Sequence, residues 1–342
     1  MTARMLAGGG VRLLGVGLAL AGVAVPAAGY WHASRPRTYG LWPQVDVPIP
    51  PLRARPVSLG YRHGVIVLCY HDLSPQPHNV YTVTPAAFAA QMGALRALGY
   101  HTISLDRMVA YVAGRQVALP RKPVLVTFDD GAKGVWIYAE PVLRRLRIQA
   151  AVMLITGDVS QHQPYYLDWA EVAALQASGR FEFGDHTRAG HGLIPAGTGR
   201  MGPFLTEREW LPARHRLETL DEYRRRVVGD LDGSLADFRA HGLPRPHAFA
   251  YPFSAYRIPT NDPAVPPLLD RILVDRFLVR FDNTTSVSRV VPGMLSPLPR
   301  VEVFHGMTAD QLIAALNGAV RAPIARRPTT RTPATFDPGS GW

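Results

Sequence analysis

The sequence predicts an α/β domain built on a parallel sheet, and three observations carry that expectation. Apolar runs rich in β-branched residues alternate with amphipathic segments through the middle of the chain. The segments between them are bounded by cap and turn residues such as Thr84, Gly99 and Gly179. Polar clusters stand where the apolar runs stop, and in parallel α/β layouts chemistry gathers at the C-terminal ends of strands. A barrel and an open sheet satisfy these observations equally.

The elements follow in chain order. Val65-Ile66-Val67-Leu68-Cys69-Tyr70 is a buried strand candidate. Residues 85–98 follow Thr84, an N-cap, and stop at Gly99, which predicts a helix. Val124-Leu125-Val126-Thr127-Phe128 is the next strand and runs directly into Asp129-Asp130-Gly131. Residues 139–146 read as helix, Ala150 to Ile155 as strand, and Trp169 to Ser178 as a helix closed by Gly179. Phe181-Glu182-Phe183 is a short strand entering Gly184-Asp185-His186.

The flanks differ in kind. Arg4 and Arg12 precede an apolar run from Leu13 to Gly29, so residues 1–31 read as a signal peptide or membrane anchor, and export is expected. Small residues at Val25-Pro26-Ala27-Ala28 offer a cleavage site, while Tyr30-Trp31 suit a membrane interface, so membrane association through this segment is an open alternative. Residues 32–60 are proline-rich and read as a linker, 61–321 as the folded domain, and 322–342 as a disordered tail.

Composition narrows the classes. The chain has 342 residues, 47% hydrophobic and 18% charged, which is globular. Its net charge of +11 is carried almost entirely by arginine, the only lysines being Lys122 and Lys133. Arginine-rich codon usage explains this, as does attraction to an anionic envelope. The arginines are scattered rather than grouped with aromatics, so no nucleic-acid partner is expected. One cysteine, Cys69, excludes an intramolecular disulfide and any multi-cysteine metal site. Within its apolar run it reads as a buried thiol.

Four clusters could carry chemistry: Tyr70-His71-Asp72, Thr127-Phe128-Asp129-Asp130-Gly131, His186 through His191, and Ala250-Tyr251-Pro252-Phe253. Adjacent aspartates after a buried strand repel one another unless a cation compensates them, although Asp-Asp-Gly is also ordinary turn chemistry. His186 and His191 are five apart with Gly190 between them, and i,i+5 positions do not share a helical face, so a loop is expected. Two imidazoles and one carboxylate form an N,N,O set that suits Zn²⁺ or a related divalent ion and leaves positions open. Two unrelated surface histidines, and a His71 satisfied in a core or turn, are the plain alternatives.

Thr-Phe-Asp-Asp-Gly followed by His-Thr-x-x-x-His resembles the polysaccharide deacetylase family, the NodB-homology domain, over about residues 63–305. The upstream Tyr-His-Asp segment is similar to the branch that de-N-acetylates poly-β-1,6-N-acetylglucosamine. The resemblance implies a distorted (β/α)7 barrel and a metal-dependent hydrolase releasing acetate from N-acetylated polysaccharide. It implies Asp129 as general base, Asp130, His186 and His191 as ligands of a divalent metal (zinc, with cobalt, nickel or iron as alternatives), and His71 as general acid. Ala-Tyr-Pro-Phe resembles the motif whose backbone N–H, here that of Phe253, helps bind the oxyanion. Phe253-Ser254 stands where that family more often has Tyr-Gly, and His305 is a second candidate acid. Residues 192–216 look like an insertion beside the site. Trp169, Trp210 and Tyr256 are candidates for stacking on sugar rings or for core packing.

Other classes fit less well. An O-acetyl esterase needs the same machinery, and a non-catalytic glycan-binding relic would not need all of Asp129, Asp130, His186 and His191. There is no Gly-x-Ser-x-Gly for a serine hydrolase and no early His-x-His for an amidohydrolase.

Overall fold

The computed structural model describes residues 41–324, apart from 53–54, 162–164, 284–287 and 295–296. The apolar run Leu13–Gly29, residues 32–40 and most of the 322–342 tail lie outside the described residues. Among the described residues no helix is long and apolar enough to cross a membrane.

Among the described residues seven parallel strands make a barrel, β1 (Ile66–Tyr70), β2 (Pro123–Phe128), β3 (Ala150–Leu154), β4 (Phe181–Asp185), β5 (Ala248–Ala250), β6 (Val279–Asp282) and β7, and a further dipeptide, His101–Thr102, pairs beside the start of β2. Strand β7 is interrupted: Leu298–Pro299 pairs with β6 and Val301–Glu302 pairs with β1, with Arg300 between the two halves. The sheet therefore closes through the continuity of one strand. The other neighbours are in sequential order, β1 to β2 to β3 to β4 to β5 to β6.

Alternation along each strand separates two apolar layers. Val67, Leu125, Ala151, Met153, Ala248, Val279, Phe281 and Leu298 belong to one cluster contributed from around the sheet, which is the barrel interior. Ile66, Leu68, Val124, Val126, Val152 and Leu154 face the other way and pack with the outer helices. Strands covered on both faces read as continuous apolar runs, which is why they were visible in the sequence.

Among the described residues there are seven α-helices: α1 (Pro85–Ala97), α2 (Leu105–Val112), α3 (Glu140–Leu146), α4 (Trp169–Ala177), α5 (Leu220–Ala240), α6 (Val265–Val274) and α7 (Ala309–Arg321). Thr84 caps α1 by accepting from the Ala87 N–H, as its position predicts. Reciprocal capping boxes start α4 (Asp168 with Glu171), α5 (Thr219 with Glu222) and α7 (Thr308 with Gln311). Gly99 and Gly179 close α1 and α4 with φ of 75° and 66°. A π-turn, Val135–Ala139, precedes α3 and extends the helical segment expected at 139–146.

The described part of the proline-rich stretch has no regular secondary structure, and it is tied to the barrel. The Val45 N–H donates to Ile137, the Trp136 indole donates to the Trp42 carbonyl at 2.7 Å, and Val47 is buried. The Trp42 ring lies over Lys133, whose buried ammonium meets Glu171 at 3.1 Å.

Candidate metal centre and active site

The site assembles at the C-terminal ends of the strands. His71 follows β1, Asp129 and Asp130 follow β2, His186 follows β4, Tyr251 to Ser254 follow β5, and Arg300 and Glu302 come from β7. His186 and His191 lie on a loop rather than a helix, as their spacing requires.

Asp130, His186 and His191 come together. Asp130 Oδ1 stands 3.4 Å from His186 Nε2 and 3.4 Å from His191 Nε2. Ligand atoms each about 2.1 Å from a tetrahedral ion stand about 3.4 Å apart, so the spacing fits a shared divalent cation. Two further observations agree. Asp130 Oδ1 is buried with no hydrogen-bond partner. The His186 Nδ1 lies 2.8 Å from the Ala250 carbonyl; donation there turns the Nε2 lone pair toward Asp130, the usual outer-sphere anchor of a ligating histidine. Burial, with the neighbouring His186, pushes the His191 imidazole down toward the neutral form a metal requires.

Asp129 has a different environment. Arg300, fully buried, donates to both of its oxygens, at 2.7 Å to Oδ1 and 2.6 Å to Oδ2. Burial pushes this carboxyl up, but the Arg300 guanidinium outweighs it and holds the group well below the usual carboxylate range. Asp129 is thus an ionised carboxylate beside Asp130, His186 and His191. The Asp130 carboxyl is also held low, its burial outweighed by the adjacent His186 and the other imidazoles around it.

The Arg300 Nε donates to Asn283 Oδ1 at 2.8 Å, and Asn283 Nδ2 donates to Glu302 at 2.7 Å. Sequence reasoning missed these three residues. The signal was faint: two dipeptides, Leu298–Pro299 and Val301–Glu302, on either side of an arginine give no period-2 pattern. Cys69 is buried as expected, with Sγ 3.5 Å from Asp129 Oδ2. Cys69, His71 and Asp129 form a second group of close ligand atoms. It is the poorer metal set, because Arg300 occupies both Asp129 oxygens and burial pushes the thiol up.

His71 lies beside both aspartates and contributes to depressing both of them. Its buried Nδ1 has no hydrogen-bond partner, and its ring meets Tyr81 at 4.8 Å. His305 is exposed, and its N–H donates to the Val80 carbonyl. Phe253 and Ser254 both adopt left-handed backbone, with φ of 58° and 51°. With Asp130 (71°) and Thr187 (78°), they are four of the eight non-glycine residues at positive φ among the described residues. Such conformations cost about 1–3 kcal/mol each and persist where the surroundings impose them.

The 192–216 segment forms antiparallel ribbons, Leu193–Gly197 with Arg200–Pro203 and Trp210–Leu211 with Arg216–Leu217. Phe204 from this segment packs on Gly190, where an added Cβ would stand 3.0 Å from the ring, so the insertion buttresses the turn before His191. Trp169 stacks on His241 at 3.8 Å and Tyr256 leans on Tyr251, so both are engaged in packing. Trp210 is half-buried in its ribbon.

Residues 116–263 match the family model described as polysaccharide deacetylase. The poly-β-1,6-N-acetyl-D-glucosamine N-deacetylase of Escherichia coli K12 is 25% identical over 208 residues, covering 56% of this chain and 31% of that protein. The protein of the same name from Staphylococcus aureus MRSA252 is 27% identical over 116 residues, covering 33% of this chain and 39% of that one. The chain thus spans about a third of the length of these curated relatives. Among solved structures, IcaB from Ammonifex degensii superposes with a TM-score of 0.57 at 28% identity, covering 74% of this chain and 97% of that chain. The BpsB deacetylase domain from Bordetella bronchiseptica shares the fold, with a TM-score of 0.59 at 20% identity, covering 73% and 98%.

Proposed function

We propose that the chain, which matches the polysaccharide deacetylase family model over residues 116–263, is a metal-dependent hydrolase removing N-acetyl groups from a β-1,6-linked N-acetylglucosamine polymer outside the cytoplasm. The observation that carries the reading is the pairing of an N,N,O ligand set, Asp130, His186 and His191, with a separate ionised carboxylate, Asp129, locked by Arg300. The relatives' names support the polymer. Export rests on Arg4, Arg12 and the apolar run after them.

Asp130, His186 and His191 would hold the divalent ion, with zinc favoured by the donor set. When bound, that ion supplies a water of lowered pKa and polarises the acetyl carbonyl. Asp129 accepts the proton of the attacking water; Arg300 keeps it ionised and fixes its oxygens. The Phe253 N–H donates to the oxygen that gains charge, a contact of a kind worth about 2.7–4 kcal/mol. His71 gives a proton to the glucosamine nitrogen as the C–N bond breaks, leaving acetate and a free amine.

Two substitutions separate the roles. Asp129→Asn is expected to abolish acetate release while the purified protein keeps its metal, and unchanged turnover would remove Asp129 as the base. His191→Ala is expected to lose metal, and full occupancy there would take it out of the ligand set.

A further inference from the structure

The loop that carries His186 and His191 is shaped from outside. Thr187, within it, holds left-handed backbone at φ 78°, which a β-branched residue adopts only where its surroundings impose it. His186 is oriented by the Ala250 carbonyl, 2.8 Å from its Nδ1. His191 stands at the far end of the loop and takes its place from the backbone between the two.

Backbone groups away from water need partners, and this loop finds them on two neighbours. The Thr187 and Arg188 carbonyls accept from the N–H groups of Thr156 at 3.1 Å and Gly157 at 2.9 Å, just after β3. The next donors go to helix α5. Asp230 accepts the Arg188 N–H at Oδ2, 3.0 Å, and the Ala189 N–H at Oδ1, 2.7 Å. One carboxylate thus grips two successive residues between the histidines.

Asp230 belongs to a polar stripe. Ser234 and Asp237 lie four and seven positions further along α5, so the three share a face, with Gly233 beside them. The Thr156 hydroxyl donates to Asp237 Oδ2 at 2.9 Å and stands 3.2 Å from the buried Ser234 hydroxyl. The Arg188 Nε donates to the same Asp237 oxygen at 2.9 Å. Gly233 leaves room for that arginine, since an added Cβ would stand 2.8 Å from its Cδ. Tyr223, Val227, Leu231 and Leu235 of the same helix pack into an apolar cluster. Polar groups placed among such neighbours are costly unless they are bonded, and here the bonds go to the histidine loop and to the Thr156 segment beneath it.

We propose that Asp230 is a positioning residue for the metal set: from α5 it fixes the Arg188–Ala189 backbone, and with it the place of His191. The inference rests on the metal-site reading and deepens it.

The test is the zinc dissociation constant of the metal-free full chain, measured by competition with a chromophoric chelator. Asp230→Ala should weaken zinc binding about 10- to 100-fold, the range for groups that orient a ligand. Asp230→Asn keeps the shape and one acceptor without the charge, and should bind close to wild type. Asp230→Glu keeps the charge but moves it one carbon further, and should bind clearly more weakly. Leu269→Ala opens a cavity in the cluster on which α5 packs, and should bind zinc as wild type does. Equal affinity in wild type and Asp230→Ala overturns the proposal. So does the reverse order of the other two, Asn weak and Glu unaltered, which would put the effect down to charge. The same weakening in Leu269→Ala would put it down to general loosening and overturn it too. Should Asp230→Ala fail to fold, the order of the Asn and Glu variants decides. If wild type takes up neither zinc nor another divalent ion, the metal reading falls and the inference with it. Zinc bound equally by wild type and Asp230→Ala leaves that reading standing and removes only the role of Asp230.

Discussion

Arg300 is the residue on which the site's electrostatics turn. A buried carboxylate without a partner takes up a proton, and breaking a buried pair by removing one member costs about 3–5 kcal/mol. Arg300→Met should therefore destabilise the fold by roughly that amount and abolish turnover. Arg300→Lys keeps a charge but loses the two-pronged contact, and should leave partial activity. The sign of the pH effect follows from the depressed Asp129 carboxyl. Its contribution to stability is fully present above about pH 4, the unfolded value, and is lost as pH falls through the lower folded value. In Arg300→Lys the acid limb of the rate profile should move to higher pH. An unmoved limb would show that something other than Arg300 holds Asp129 ionised. Asp129, Asp130, His186 and His191 were legible in the sequence, because strand ends followed by acids or by spaced histidines leave a local pattern. Arg300 was not: its partner is 171 positions away, and only closure of the barrel brings the two together.

Among the elements, the segment from Asp130 to Ala139 shows how closely the site is packed. Gly134 lies so near the neighbouring chain that an added Cβ would stand 2.5 Å from Asp72 Oδ1 and 2.7 Å from the Leu73 N. Gly134→Ala should cost about 3 kcal/mol, the upper end of overpacking penalties, and displace the His71-Asp72 segment. Thermal melting checks the first effect and kcat the second; a variant with wild-type values of both would contradict the packing described. The first four strands, α1 and α4 were read correctly because each has either a continuous apolar run or clear caps. β5 and β6 are three and four residues long, and β7 is two dipeptides around an arginine, too short for any periodicity. The longest helix, α5, has mixed polar and apolar residues that blur its stripe, although its Thr219-Glu222 capping box was present to be read.

For the whole molecule, the seven-stranded barrel gathers Asp130, after β2, and His186 and His191, after β4, around one point, where they are proposed to hold an ion. An ion that binds only the folded chain stabilises it by mass action. At a concentration about 100 times its dissociation constant, this contributes about 2.7 kcal/mol, or roughly 5–10 °C in Tm for a domain of this size. Chelation should lower the melting temperature by that amount and restoring zinc should recover it; a melting curve indifferent to both would speak against a metal held by the folded site.

The central claim is tested most directly by acetate release from β-1,6-linked N-acetylglucosamine oligomers, with chelator and after metal is restored. The account expects acetate and free amines in equal amounts, loss of both on chelation, and recovery with zinc or another divalent ion. Acetate release that persists undiminished in chelator-treated, metal-free protein would contradict it.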